Sequence, residues 1–252
     1  MKVFFVGAGP GDPELLTLKA HRLLTECRIC IYAGSLVNPE VVRLIPFRAE
    51  RHDSAELDLE EIVALFRDAK DRGIDVVRLH SGDPSIYGAI REQMNELDQL
   101  GIDYEVVPGV SSFQAAAAAL RTELTAPEVA QTVILTRMSG RTPVPPEQDL
   151  DVLARTHATL CLFLSAHRMQ EVSARLAEHY GKQCPVALVY RASWPDEQII
   201  RGTLEDIAGK IAASGIRKTA MIVVGHALSR DIPVSKLYDA GFSHEYRSAK
   251  EA

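Results

Sequence analysis

Three short runs rich in glycine, proline, serine and aspartate are the places where this chain could organise chemistry. They are Gly7-Ala8-Gly9-Pro10-Gly11-Asp12-Pro13, Ser81-Gly82-Asp83-Pro84-Ser85-Ile86-Tyr87-Gly88 and Pro108-Gly109-Val110-Ser111-Ser112. Each follows an apolar run that reads as a strand. Each therefore leaves small residues and free backbone groups at a strand's carboxyl end, where ligands of α/β sheets bind. For any one run, glycines making a tight turn are explanation enough. Three within the first 112 residues point to a ligand-binding rim.

The first run sits where a dinucleotide fingerprint would, but that fingerprint wants glycines at relative positions 1, 3 and 6. Here they fall at 1, 3 and 5, with Asp12 sixth, and Pro10 and Pro13 remove two N–H groups that could hold a pyrophosphate. The second strand runs into Tyr32-Ala33-Gly34-Ser35, with no acid for a ribose. A nicotinamide-dependent oxidoreductase is thus disfavoured. No H-E-x-x-H or similar cluster suggests a metal. Cys27 and Cys30 form a C-x-x-C, but in or beside a strand at 28–32 their side chains should point to opposite faces and could not share an ion. Buried small hydrophobes are the expectation for both, and for the scattered Cys161 and Cys184. The histidines at 21, 80, 157, 167, 179 and 226 stand singly, and none is assigned as a general base.

Strand-like and helix-like stretches alternate from end to end, the pattern of an α/β protein with mostly parallel sheets. Strands are expected at 2–6, 28–32, 75–79, 104–107, 131–136, 158–164, 185–190 and 219–224. Helices are expected at 14–26, 39–45, 59–71, 85–99, 147–155, 167–179 and 203–213. Asp12-Pro13 and Asn38-Pro39 pair an N-cap with a first-turn proline. The alanine-rich stretch after Gln114 suggests a closely packed helix, Met138–Pro146 an exposed loop, and the stretch after Val224 a partly ordered tail. Two αβα domains, 1–120 and 121–252, are the simplest architecture. A net charge of −6 does not suit nucleic acid, and no apolar run approaches the roughly 20 residues of a membrane span. With too short an apolar stretch at the start for a signal peptide, a cytoplasmic location is expected.

The run Val6-Gly7-Ala8-Gly9-Pro10-Gly11, followed after three residues by Leu15-Leu16-Thr17-Leu18-Lys19-Ala20, resembles the opening signature of the tetrapyrrole (corrin/porphyrin) methyltransferase family. The Gly82-Asp83-Pro84 and Pro108–Ser112 turns match its next two motifs in order. The likeness extends from residue 3 to about 225. Within the family, Tyr32-Ala33-Gly34-Ser35-Leu36-Val37, His80–Gly88 and Leu124-Thr125-Ala126-Pro127-Glu128 most resemble the members that methylate C11 of precorrin-4, with or without cobalt. Uroporphyrinogen methylases usually carry a second glycine where Ser81 stands.

The resemblance implies two αβα domains with S-adenosyl-L-methionine in the cleft between them, S-adenosyl-L-homocysteine as product, and a homodimer. It implies donor contacts at Pro10, Gly82, Asp83, Ile86, Ser111, Ser112, Leu164, Ala192 and Ala220. Asp83 reads equally well as the cap of a helix beginning at Pro84-Ser85. The acceptor, an anionic tetrapyrrole, would meet arginines. Arg43, Arg48, Arg51 and His52 stand together in a loop before the helix at 59, and Arg91 follows the Gly82 turn. Tyr32, Ser35, Asp53 and Tyr87 are further polar candidates for that trough. Methylation of another tetrapyrrole carbon, as in uroporphyrinogen III or another precorrin, is the near alternative. A non-catalytic tetrapyrrole carrier would have no use for the donor turns.

Overall fold

The computed structural model describes residues 1–140, 142–229, 231, 233, 235, 241–243 and 245–248. Most of the stretch after Ser229, read from sequence as a tail, lies outside them, as does Arg141 of the proline-rich loop. The chain divides into two compact units. One is Met1–Ala119 with Val189–Gln198, the other Leu120–Leu188 with Ile199–Ala252. A cut at 120 alone would leave Val189–Gln198 with the wrong half.

The first unit carries a parallel sheet built from β1 (Lys2–Gly7), β2 (Ile29–Tyr32), β3 (Glu50–Asp53), β4 (Val76–His80) and β5 (Asp103–Val107), in the order β3-β2-β4-β1-β5. Alternation along each strand divides the apolar residues between two cores. Val6, Cys30, Val77 and Leu79 pack with Leu24 of α1 (Leu18–Glu26) and Val41 of α2 (Pro39–Val42). Val3, Phe5, Ile29, Ile31 and Val76 pack with Ile62 and Phe66 of α3 (Leu59–Asp71) and Leu97 of α4 (Ile90–Leu100). The α3 start is set by a full capping box between Asp58 and Glu61. Because every strand runs the same way, the turns after β1, β2, β4 and β5 emerge along one edge.

Four expectations are corrected here. The helix expected at 14–26 is a short turn at Pro13–Leu15 followed by α1, which Thr17 caps by accepting from the Ala20 N–H. The helix expected at 85–99 begins only at Ile90, because Tyr87 (φ 54°) and Ala89 (φ 48°) take the left-handed conformation, which ends helical propagation. Residues 50–53, read as loop, form the edge strand β3, so Arg51 and His52 point to opposite faces. Cys27 lies beside β2, ending α1, and is only half-buried where full burial was expected.

In the second unit, β6 (Val133–Arg137) lies parallel to β7 (Thr159–Phe163), and β10 (Ala220–Val224) antiparallel to β7. With β8 (Pro185–Tyr190) and β9 (Gln198–Thr203) the order is β6-β7-β10-β8-β9. The alanine-rich helix α5 (Ser112–Leu120) closes the first unit's long stretch, and α6 (Leu150–Ala154), α7 (Met169–Tyr180) and α8 (Ile207–Ser214) belong to the second unit. Among the described residues no helix is long and apolar enough to cross a membrane.

Candidate functional site

The three glycine turns meet at the carboxyl edge of the first sheet. Ala8 N–H donates to His80 O at 2.7 Å, and Gly9 and Gly82 exchange backbone hydrogen bonds of 3.3 and 2.7 Å. The approach is so close that no side chain fits. A Cβ on Gly7 would stand 2.6 Å from Gly82 O and Gly109 N, and one on Gly109 would stand 2.3 Å from Gly82 O. These glycines are therefore required by three backbones packing on one another, a stronger demand than a local turn makes.

Asp83 ties the second turn to the third. Its Oδ1 accepts from Ser85 N–H at 2.8 Å and from the Ser85 hydroxyl, and its Oδ2 accepts from Gly109 N–H at 3.0 Å. Both oxygens are thus engaged in holding the turns together, and Asp83 caps no helix, since α4 begins only at Ile90. Ile86 is half-buried and bonds back to Asp83 O, whereas Tyr87 is exposed. Ser111 is buried, its N–H donating to Gln114 Oε1 at 3.0 Å, and Ser112 begins α5.

A fourth segment joins this edge from far along the chain. In the loop after β8, Trp194 Nε1 donates to Pro10 O at 2.8 Å and Asp12 N–H donates to the Ser193 hydroxyl at 3.0 Å. The Trp194 ring covers Gly11, where a Cβ would come within 2.1 Å of it. Asn38 Nδ2 donates to Gly11 O at 2.9 Å from the other side. Ala192 is buried between Arg191 (φ 46°) and Ser193 (φ 68°). The loop that carries Ala192 thus also brings Ser193 and Trp194 to this edge, which the sequence expectations do not include. The available signal was that Trp194 is the chain's one tryptophan, flanked by Ser193 and Pro195.

Leu164 follows β7 and Ala220 begins β10, which runs antiparallel to it in the second unit. The register pairs Ile222 with Leu162, two residues from Ala220 and Leu164 respectively, so both lie at the same end of this strand pair. Leu164 is 67% exposed and left-handed (φ 53°), as is Thr219 (φ 55°). An exposed leucine in a disfavoured conformation is the kind of strain that binding loops hold.

The residues expected to meet the acceptor divide by their end of the sheet. Tyr32 ends β2 and Asp53 ends β3, paired in register at the same edge as the glycine turns. Asp53 Oδ1 accepts from Gly34 and Ala55 N–H at 3.0 and 2.9 Å, which fixes the loop bearing exposed Ser35. Arg91, exposed in the first turn of α4, lies just past the Gly82 turn. His52 is half-buried on β3. Arg48 precedes β3 and so lies at the amino ends of the strands, away from the rim. Arg51, exposed, donates to Ile45 O at 2.5 Å, and Arg43 pairs with Glu40. Arg48 and Arg51 thus stand before and early in β3, while Asp53 at its far end joins the rim.

Beneath the rim, His80 is 5% exposed and its Nε2 has no hydrogen-bond partner among the described residues. Burial, with the charge of Arg78 nearby, pushes its pKa down to about 3, so the imidazole is neutral. Arg78 is itself buried, its Nε donating to Gln93 Oε1 at 3.1 Å, and burial lowers it to about 10. No group of metal-ligating side chains occurs among the described residues.

The family model of tetrapyrrole (corrin/porphyrin) methylases matches residues 2–208. A precorrin-4 C(11)-methyltransferase of Pseudomonas aeruginosa is 50% identical over 98% of this chain and 99% of its own. The solved structure of a cobalt precorrin-4 methyltransferase superposes with a TM-score of 0.88 at 45% identity, covering 90% of this chain and 96% of that one. A uroporphyrin-III C-methyltransferase from Thermus thermophilus, solved with S-adenosyl homocysteine, gives 0.77 at 33% identity, covering 90% and 93%.

Proposed function

This chain belongs to the tetrapyrrole (corrin/porphyrin) methylase family, and we propose that it transfers a methyl group from S-adenosyl-L-methionine to C11 of precorrin-4 or its cobalt form. The product would be precorrin-5 in the corresponding form, on the route to cobalamin. The observation that carries the reading is the near full-length match to a C11-methyltransferase, supported by three glycine turns packed on one another at one sheet edge.

The residues at the rim suit such a donor. The turns present backbone groups and the Ser111 and Ser112 hydroxyls, and a buried, neutral His80 nitrogen is left unpartnered below them. When bound, the donor supplies a methyl group already activated on a sulfonium. The protein's part is then alignment and exclusion of water, which can account for much of a bimolecular rate enhancement. Pro10, Gly82, Ile86, Ser111, Ser112 and Ala192 are proposed to hold the donor, with Leu164 and Ala220 as further contacts. Asp83 acts by fixing the turns. Tyr32, Ser35, Asp53, His52, Tyr87 and Arg91 are proposed for the acceptor. Arg48 and Arg51 are not retained, since they do not reach this edge. We further propose a cytoplasmic homodimer, which sedimentation velocity on the purified chain tests directly.

Incubation with methyl-labelled S-adenosyl-L-methionine and precorrin-4, followed by NMR, should place the label on C11. A label on another ring carbon overturns the regiochemistry. Calorimetric heat with NAD and none with S-adenosyl-L-homocysteine overturns the methyltransferase reading itself.

A further inference from the structure

Arg78 is the one lysine or arginine buried among the described residues, and no aspartate or glutamate is buried beside it or anywhere else among them. Its cross-strand row holds Phe5 of β1, Ile31 of β2 and, beyond that, His52 of β3. Two residues on, His80 shares its face and adds only a neutral imidazole. The guanidinium is held by neutral oxygens. Its Nε donates to Gln93 Oε1 of α4 at 3.1 Å, and its Nη1 to Ile31 O at 3.4 Å. Gln93 in turn donates to Ala89 O at 3.1 Å. Burial lowers the pKa of Arg78 to about 10, which leaves it charged at neutral pH.

A buried charge is normally matched by an opposite one, because the water that would have solvated it is gone. A carboxylate in place of the Gln93 amide would complete an ion pair at the same position. Glutamine makes the hydrogen bond and leaves the charge uncompensated. The two carbonyls at the ends of this network lie next to residues proposed for the acceptor. Ile31 immediately precedes Tyr32, and Ala89 stands two residues before Arg91.

We propose that Arg78 is a specificity-determining residue for an anionic acceptor, its charge left uncompensated by Gln93 so that a carboxylate of the tetrapyrrole, bound beside Tyr32, balances it. This rests on the methyltransferase reading above and adds to it the group that selects for the acceptor's charge. Contact is not required, because a field that crosses protein is screened less than one that crosses water. Exposed Arg91 lacks that advantage.

The test compares Gln93→Glu with Gln93→Met in the full chain. It measures kcat and the KM for precorrin-4 at saturating S-adenosyl-L-methionine, S-adenosyl-L-homocysteine affinity by calorimetry, and the thermal midpoint. Gln93→Glu should raise the acceptor KM on the order of tenfold, while kcat and S-adenosyl-L-homocysteine affinity stay within about twofold. Its thermal midpoint should be at or above that of Gln93→Met, since the new carboxylate pairs with a cation already buried. Gln93→Met loses the hydrogen bond but keeps the charge, and its KM should rise far less. An unchanged KM in Gln93→Glu, or an equal rise in both variants, would overturn the proposal, the second by giving Gln93 a structural role only. If Gln93→Glu does not fold, Arg78→Lys, which keeps the charge, and Arg78→Gln, which removes it, decide the matter, and equal KM values for these two overturn the proposal. Wild-type protein that binds no S-adenosyl-L-homocysteine and methylates no precorrin-4 would overturn the methyltransferase reading itself, and this proposal with it.

Discussion

His80 shows how a single buried group writes itself into the behaviour of the protein. Its ordinary pKa is 6.5 and its folded value about 3, so between these the unfolded chain binds a proton that the native state does not. The contribution to stability is complete above the ordinary value and is lost as pH falls through this window, with a slope of up to about 1.4 kcal/mol per pH unit. Chemical denaturation of the wild type and of His80→Gln should therefore give a stability difference that shifts by about that slope between about pH 6 and 4.5. A difference independent of pH would show that the imidazole is not held neutral. Asp83 is the other residue whose atoms decide an outcome. Asp83→Ala removes acceptors from Ser85 and Gly109 and should cost about 1–3 kcal/mol while weakening S-adenosyl-L-homocysteine in calorimetry. Asp83→Asn has one acceptor oxygen, can serve one turn only, and should fall between. Loss of ligand affinity with unchanged stability would instead make Asp83 a direct contact.

At the scale of elements, the rim depends on the loop after β8 being seated on the turn after β1. Trp194→Phe removes one hydrogen bond to Pro10 O and should lower stability by about 0.5–1.5 kcal/mol. Trp194→Ala also uncovers Gly11 and should cost about 3 kcal/mol or more, with a larger loss of S-adenosyl-L-homocysteine affinity. Equal effects of the two substitutions would mean that the ring itself contributes nothing to holding the turn. The elements that were hardest to read are equally instructive. β3 is Glu50-Arg51-His52-Asp53, an edge strand with no aliphatic residue, so the alternation that announces a strand is missing. Its charged side chains suit an exposed edge, and that same polarity made it look like a loop. The late start of α4 was hidden for a different reason, since nothing in the types of Tyr87 and Ala89 foretells a left-handed backbone.

For the whole molecule, the grouping of Val189–Gln198 with the first 119 residues means that the first unit is not made by a continuous stretch. A fragment of residues 1–120 would contain every glycine of the rim and lack both Trp194 and Ser193. Its Asp12 amide, which donates to Ser193 in the full chain, should exchange with deuterium faster in the fragment. Equal exchange rates would show that the first turn is ordered without its distant cover. The overall negative charge does not draw in an anionic acceptor, so recognition of one has to come from groups placed locally, the role proposed for Arg91.

What the residues alone determined was the positions of the glycine turns, the alternating α/β plan and the family. These rest on constraints satisfied within a few residues: strand periodicity, helix caps, and backbone that tolerates no side chain. Only the folded chain decided that Asp83 is bonded within the rim and that Arg48 and Arg51 lie away from it. It alone set Trp194 over a turn 184 positions earlier. Such pairings follow from strand register and from where helices end, and a side chain's partner across a sheet edge has no local signature.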